Sequence, residues 1–270
     1  MRYYLNLKSS WAKAKRAKAH IDFLRDEVAR ESPNGKMLWL TRQYEPKKGA
    51  IVYRVERTVK IHDDWSLIIG ETVHNLRGAL DHLAWQLALR YFKGIEPSDK
   101  RVIKMIQFPI VEDKLLWPGH PNRKYMLIRD AQKLKGFQPF KLTKKQAAVG
   151  RHIFKDFFGF SGVSNVDKHR KIQVTHHYVL DARFNYTGSK DCVPANDSRA
   201  FNAEGMMLPG DATKAGDEVL RIPIVPTGPN PDVDLNPEFT GCIAIRGNIN
   251  VIDALEKLFK SVVVVLGSLS

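Results

Sequence analysis

The stretch HNLRGALDHLAW, residues 74–85, places two histidines, an arginine and an aspartate among leucines and a tryptophan. Its polar members are His74, Asn75, Arg77, Asp81 and His82. The leucines recur at intervals of four and three residues, which is the spacing of a helix with one buried face. The stretch therefore predicts an amphipathic helix with an unusual polar face.

The predicted helix extends well beyond this stretch. Asp63 or Asp64 caps its start, and the helical pattern continues to about residue 92. The expected buried stripe is Trp65, Ile69, Thr72, Val73, Leu76, Leu80, Leu83 and Leu87. The opposite face is Glu71, His74, Asn75, Gly78, Asp81, His82 and Trp85, and residues 71–89 contain no lysine. Because a solvated face usually carries lysines, we expect this face to contact another group.

The rest of the chain predicts more helices and an antiparallel sheet. The expected helices are 10–30, with Trp11 on the buried face, 63–92, 122–134, 143–158 and 251–266. The expected strands lie mainly within 37–61 and 170–246, with residues 185–217 and 226–237 as loops. This pattern favours an α+β fold, with a helical core around the long helix and an antiparallel β-sheet. We expect a single domain over residues 1–270.

The charge balance predicts a polyanionic partner. The chain has 43 Lys and Arg against 29 Asp and Glu, a net charge of +14, and such a field attracts nucleic acid. The longest apolar run, VVVVL at 262–266, is far shorter than the roughly 20 residues of a membrane span. The first 20 residues contain no apolar signal core. We expect a cytoplasmic protein without membrane association.

Arg77 and His82 form the pattern R-x4-H, which is suited to cutting RNA. RNA carries its own nucleophile, the 2′-hydroxyl. A histidine can transfer a proton at that oxygen or at the leaving 5′-oxygen. An arginine can hold the phosphate through two parallel hydrogen bonds. Neither role requires a metal ion.

The R-x4-H pattern resembles the signature of the HEPN superfamily. These helical domains include many metal-independent endoribonucleases of toxin, anti-phage and RNA-processing systems. The resemblance implies a HEPN-like helical core, catalytic roles for Arg77 and His82, and a homodimer in which two such helices pair.

A broader resemblance joins the long helix to a later segment. IGETVHNLRGALDHLAWQLA, QFPI, FQPF and NVDKHRKI together resemble a widespread bacterial family of uncharacterised proteins. The resemblance implies that residues 74–82 and 165–170 form one unit.

The later segment contains the run DKHR, residues 167–170. In a functional role, His169 is a second proton carrier, and the binding residues are Asn75, Asp81, Asp167, Lys168 and Arg170. In a structural role, Asp167 caps a turn and His169 packs under the sheet. We expect Asp81 or His82 to lie within side-chain reach of residues 167–170.

The leading prediction is a metal-independent endoribonuclease or RNA-binding protein of a bacterial toxin or defence type. The first alternative is a non-catalytic interaction protein, in which Arg77–Asp81 and Asp167–Arg170 are buried ion pairs. A third is a metal-dependent hydrolase. Its ligands would come from His74, Asp81, His169, His176 and His177. The chain lacks the common motifs for zinc, nucleotides and dinucleotides, so we expect no metal and no cofactor.

Overall fold

The structure, a computed structural model, describes residues 4–32, 36, 38–141, 157–158, 174–194, 214–245 and 249–270. The helices of these residues are α1 (Lys8–Glu31), α2 (Asp63–Tyr91), α3 (Lys100–Met105), α4 (Ile128–Lys135) and α5 (Val251–Leu269). Their strands are β1 (Leu38–Glu45), β2 (Ala50–Thr58), β3 (Val174–Lys190), β4 (Cys192–Pro194), β5 (Glu218–Pro226), β6 (Asp232–Ile245) and β7 (Ile249–Asn250). All strand pairs are antiparallel, so the predicted mixture of helices with an antiparallel sheet is confirmed.

The chain divides into two compact units. The first, here called the helical unit, comprises residues 1–25, 63–173 and 252–270. The second, the sheet unit, comprises residues 26–62 and 174–251. The expectation of a single domain stays a prediction. None of the described helices combines the length and the apolar composition that crossing a bilayer requires.

Helix α2 is the long helix that the sequence predicts. Asp63 and Asp64 lie in its first turn, where negative charge interacts favourably with the helix dipole. The predicted apolar stripe from Trp65 to Leu87 is buried along its whole length. The helix ends before Gly94, whose φ is 90° and whose N–H donates to the carbonyl of Leu89 at 2.7 Å.

Helix α1 follows its predicted range but not the whole of its predicted buried face. Ala14, Ala17 and Ile21 are buried as expected, whereas Trp11 is 39% exposed. Ser10 is buried in place of Trp11. One residue corresponds to about 100° of helical rotation, which is enough to move the indole from the core to its border. The prediction that Trp11 is a core residue is therefore wrong.

Helices α1 and α2 run antiparallel within the helical unit. Lys13 and His20 of α1 contact Gly78 and Glu71 of α2, and Asn6, just before α1, donates its N–H to Gln86. The residue number rises along α1 as it falls along α2, so the two helices pass each other in opposite directions. This packing places the polar face of α2 beside one flank of α1.

The sheet unit contains two antiparallel sheets. The first has the strand order β1-β2-β5-β4 and the second the order β3-β6-β7. The core of the unit consists of Ile51, Tyr53, Cys192, Leu220, Ile222, Ile224 and Val233. A turn with Gly49 at φ 54° joins β1 to β2, and this left-handed conformation favours glycine.

Two predicted loops are strands in part of their length. The loop predicted at 185–217 is wrong at 185–190, where β3 continues to Lys190, and at 192–194, where β4 lies. The loop predicted at 226–237 is wrong from Asp232, where β6 begins. Lys190 pairs with Asp232 at one end of the long antiparallel pair of β3 and β6. The partner strand thus supplies hydrogen bonds that override the weak strand propensity of these Gly- and Asn-rich residues.

The helix predictions between residues 94 and 158 have mixed outcomes. No helix was expected between residues 92 and 122, but α3 lies there, and Asp99 caps it by accepting a hydrogen bond from the N–H of Arg101 at 2.8 Å. The helix expected at 122–134 is shorter and lies at Ile128–Lys135. Of the helix expected at 143–158, only residues 157 and 158 are described, and both are helical.

Candidate nucleic-acid interface

Arg77 and Asp81 form a bidentate ion pair on α2. Arg77 Nε lies 3.2 Å from Asp81 Oδ2, and Arg77 Nη2 lies 3.1 Å from Asp81 Oδ1. The backbone of Phe108 closes the arrangement. Its N–H donates to Asp81 Oδ1 at 2.9 Å, and its carbonyl accepts a hydrogen bond from Arg77 Nη2 at 2.9 Å. We call these three residues the Arg77 clamp.

The clamp fixes an irregular segment against α2. Phe108 belongs to the QFPI stretch and is completely buried, outside any helix or strand. A buried backbone N–H and carbonyl that pair with no neighbouring strand need other hydrogen-bond partners. The Arg77 clamp supplies one partner for each of these two groups of Phe108. The side chain of Arg77 is 14% exposed and that of Asp81 33% exposed. The arrangement therefore resembles a structural pair more than an open phosphate fork.

Arg77 retains little capacity to bind a ligand. Its Nε and Nη2 atoms are used by Asp81 and Phe108, and its guanidinium carbon lies 5.9 Å from the ring centre of Phe158. Among the described residues, Nη1 has no hydrogen-bond partner. A fork that holds two phosphate oxygens would require Arg77 to leave Asp81 or Phe108.

The two histidines of the motif lie on the exposed side of α2. His74 and His82 are both exposed, and neither has a hydrogen bond or an ion pair within the described part of the chain. Asn75 Nδ2 donates to the carbonyl of Glu71 at 2.9 Å. Asn75 is therefore bonded to its own helix. Of the predicted site residues on α2, His82 has the most open surroundings.

Gly78 lies between the two histidines, four residues from each. Residues four apart follow one another along one helical face. The stem of Lys13 from α1 crosses this position, because its Cδ and Cε lie 3.8 and 3.9 Å from the point where a Cβ of Gly78 would be. Lys13 has no hydrogen bond or ion pair to a described residue. The structure thus brings a lysine to the lysine-free face of α2.

An open groove of about 630 Å³ lies on a different flank of α1. Its lining residues are Leu5, Asn6, Leu7, Lys8, Trp11, Ala12, Lys15 and Ser270. Lys8 and Lys15 are exposed and lie three residues before and four residues after Trp11. This spacing places both lysines on the same side of the helix as the indole. The groove combines an aromatic ring with two cations.

Four predicted site residues cannot be compared with this geometry. Asp167, Lys168, His169 and Arg170 lie outside the described residues. The expected contact between Asp81 or His82 and these residues therefore stays a prediction. For the metal alternative, no group of three His, Cys, Asp or Glu side chains in the described part of the chain lies close enough together to hold an ion.

The sequence reasoning did not identify Trp11 or Phe108 as site residues, and it named Lys13 only as one cation of a basic surface on α1. A signal for Lys13 was present in Gly78, because a glycine inside a helix costs about 1 kcal/mol relative to alanine and often has a local reason. The helical spacing of α1 places Lys15, Arg16 and Lys18 on this same surface, which was expected to face solvent and to be able to contact phosphate, whereas Trp11 was placed in the core. Phe108 contacts Arg77 and Asp81 through its backbone, and the pattern of side chains in a sequence does not predict backbone contacts of this kind.

Comparisons of the chain with protein-family models, with curated proteins and with solved structures gave no match.

Proposed function

We propose that this protein binds single-stranded RNA through a HEPN-like helical core around α2, in a bacterial toxin or defence system of the cytoplasm. The observation that carries the proposal is the groove on α1, where the exposed indole of Trp11 lies between Lys8 and Lys15. The net charge of +14 supports a polyanionic ligand.

The groove has the two chemical elements that single-strand binding requires. An unpaired base can stack on an indole, and such stacking contributes roughly 1–3 kcal/mol per base. The ammonium groups of Lys8 and Lys15 can contact the phosphates on either side of that base. A duplex hides its base faces, so the exposed ring favours a single strand.

In this proposal the Arg77 clamp has a structural role. It holds the QFPI segment on α2 and contributes no direct RNA contact. The proposal thus combines the RNA-binding form of the leading prediction with the ion-pair role of Arg77 and Asp81 from the non-catalytic alternative.

Fluorescence anisotropy with a labelled single-stranded RNA of about a dozen nucleotides, a length within the range of known single-strand sites, tests the groove. We expect Trp11→Ala to weaken binding roughly tenfold or more, because one stacked base is lost. Lys8→Ala combined with Lys15→Ala should also weaken it. The control with the same charge change is Lys100→Ala with Lys104→Ala, on exposed positions of α3 that do not line the groove. If Trp11→Ala bound RNA with the same affinity as the wild-type protein, the proposal that RNA binds in this groove would be wrong.

A metal-independent endoribonuclease is the second candidate, favoured by the exposure of His82 five residues after Arg77. In this reaction the 2′-hydroxyl attacks the adjacent phosphorus and the bond from phosphorus to the 5′-oxygen breaks. One base takes the proton of the 2′-hydroxyl, and one acid gives a proton to the 5′-oxygen. The products are a 2′,3′-cyclic phosphate and a 5′-hydroxyl.

RNA cleavage in the presence of EDTA separates this candidate from simple binding. If His82 transfers a proton, His82→Ala should cleave about 10²–10⁴-fold more slowly. His62→Ala, in the sheet unit, is the matched control and should cleave at the wild-type rate. Mass spectrometry should detect the cyclic phosphate. Absence of cleavage in the wild-type protein would leave RNA binding as the function.

The HEPN resemblance adds a homodimer to the proposal. Two copies would pair along α2, with the exposed His74 and His82 of each copy lining a site that stays open to the ligand. Light scattering at micromolar concentration measures the mass directly. A strict monomer would remove any site shared between two copies.

A further inference from the structure

We infer that the Gly78 position of α2 is a phosphate-binding site formed by Lys13, His74 and His82. We call it the Gly78 site. As a contact for the RNA backbone it rests on the proposed function, although its affinity for a phosphate group can be measured independently.

The geometry places three basic side chains around one open position. His74, Gly78 and His82 lie on consecutive turns, and the Cβ atoms of residues four apart on a helix are roughly 5–6 Å from each other. The ammonium group of Lys13 is one bond beyond Cε, which lies 3.9 Å from the Cβ position of Gly78. The lysine therefore reaches the level between the two exposed imidazoles.

The glycine itself indicates space for a ligand. A Cβ at position 78 would meet Lys13 at 3.8 Å, which is an ordinary van der Waals contact. Helix packing therefore does not require glycine here, even though glycine costs about 1 kcal/mol relative to alanine inside a helix. Without a side chain, half-buried Gly78 leaves room between His74 and His82, and the stem of Lys13 borders that room.

The charges around the Gly78 site favour an anion. Lys13, His74 and His82 have no ion pair with a described residue. The nearby acids are already engaged, since Asp81 is held by Arg77 and Phe108, and Glu71 Oε2 lies 3.4 Å from His20 Nε2. Phosphate oxygens accept hydrogen bonds from both ammonium and imidazole groups, so a phosphate matches these donors.

The exposed face of α1 connects this site with the Trp11 groove. Lys13 lies two residues after Trp11, and two residues correspond to about 200° of helical rotation, so the two sites occupy opposite flanks. Arg16 and Lys8 are exposed and lie between the flanks on the solvent side. A single strand crossing α1 would pass from Trp11 over Arg16 to the Gly78 site.

Titration with inorganic phosphate tests the site without RNA. We expect phosphate to shift the ring resonances of His74 and His82 in NMR spectra of the wild-type protein. Lys13→Met keeps most of the stem and removes the charge, and should weaken phosphate binding roughly tenfold or more. The matched control is Lys104→Met on α3. Gly78→Ala should fold normally, whereas Gly78→Leu should fill the site and abolish the shifts.

A parallel RNA titration separates this inference from the proposed function. If a backbone phosphate occupies the site, Lys13→Met should reduce the slope of log affinity against log salt by about 0.7. RNA binding that is unchanged in Lys13→Met would overturn the contact with RNA and leave the proposed function intact. Phosphate binding by a protein that binds no RNA would refute the proposed function and support the site. If phosphate does not shift the ring resonances of His74 and His82, the inference of a phosphate-binding site at Gly78 is wrong.

Discussion

Arg77 shows how one motif residue can satisfy two interpretations of a sequence. Its position five residues before His82 resembles a ribonuclease pattern, and its position four residues before Asp81 permits an ion pair. In the structure the ion pair is formed and is extended by both backbone groups of Phe108. A catalytic role for Arg77 stays a prediction, and it would have to coexist with these contacts.

Removal of either charged member of the Arg77 clamp should destabilise the protein. We expect Arg77→Ala and Asp81→Ala each to lower the free energy of unfolding by roughly 2–4 kcal/mol, because the remaining charge and the Phe108 backbone lose their partners. Urea denaturation measures the change. The double variant should cost less than the sum of the two single variants. The control is Arg101→Ala, in an ion pair whose arginine is 89% exposed. A clamp variant as stable as this control would contradict the structural role.

A second ion pair allows a sharper test of burial. Arg90 Nη1 lies 2.9 Å from Asp130 Oδ1, with side-chain exposures of 17% and 2%. Asp130→Ala should lower the free energy of unfolding by about 3–5 kcal/mol, since it leaves Arg90 partly buried without its carboxylate. Arg90→Met combined with Asp130→Leu should be more stable than Asp130→Ala. Thermal unfolding compares the variants. If Asp130→Ala were more stable than the double variant, the unpaired charge of Arg90 would not be destabilising and the argument from burial would be wrong.

Single residues also mark the limit of prediction from periodicity. The stripe on α2 was predicted correctly because seven apolar positions agree on one direction. Trp11 was predicted wrongly because a single large apolar residue at the border of a face fits either side. Packing against neighbouring helices determines the outcome, and a one-residue rotation of about 100° separates the alternatives.

At the scale of elements, two stretches that carry the resemblance to a bacterial family contact each other in space. The HNLRGALDH stretch contains Arg77 and Asp81, and the QFPI stretch contains Phe108, which the clamp joins to them. Their joint occurrence in the sequence thus has a physical explanation that does not depend on catalysis. The resemblance alone did not indicate that the contact would be made by backbone atoms.

Ion pairs across the first sheet predict how the sheet unit responds to acid. Glu45 on β1 accepts hydrogen bonds from Arg54 on β2 at 2.5 Å and from Arg221 on β5 at 3.0 Å. Arg54, and then Arg221, lower the pKa of Glu45 from its ordinary 4.5 to about 2. Between these two values the folded state binds fewer protons than the unfolded state. The contribution of Glu45 to stability is therefore fully present above pH 4.5 and is lost as the pH falls towards 2.

Glu45→Gln tests this linkage. The variant should be less stable than the wild-type protein at pH 7, and the difference should shrink between pH 4.5 and 2. Denaturant titrations at several pH values measure it. Glu56→Gln is the control, because Glu56 is exposed on β2 and has no ion pair with a described residue. A difference that stays constant down to pH 2 would contradict the depressed pKa of Glu45.

The ends of elements were harder to predict than their existence. The strands β3 and β6 were expected only in part, because Gly188 and Asn185 have low strand propensity. The register of this antiparallel pair shifts between Tyr186 and Gly188, and such an irregularity accommodates a glycine without ending the pairing. Long-range pairing of this kind cannot be read from local composition.

For the whole molecule, the sequence predicted the α+β class because helical and strand patterns lie in separate segments. The division into a helical unit and a sheet unit was not predicted. Each unit is assembled from segments distant in sequence, since the helical unit combines residues 1–25, 63–173 and 252–270. Local patterns carry no information on such assembly. The Gly78 site has the same origin, because Lys13 and Gly78 are brought together by antiparallel helices.

The net charge of the whole chain leads to a final prediction about salt. A protein with a charge of +14 that contacts phosphates releases counterions, so its RNA affinity should fall steeply as salt increases. Four cationic contacts, from Lys8, Lys13, Lys15 and Arg16, predict a slope of log affinity against log salt of about −3 for a single strand. Stacking and phosphate contacts do not involve the 2′-hydroxyl, so single-stranded DNA of the same sequence should show a similar slope. Anisotropy titrations at several salt concentrations measure both slopes. Affinity independent of salt would show that the basic surface does not contact the nucleic acid, and a much steeper slope for RNA alone would require RNA-specific contacts outside the groove and the Gly78 site.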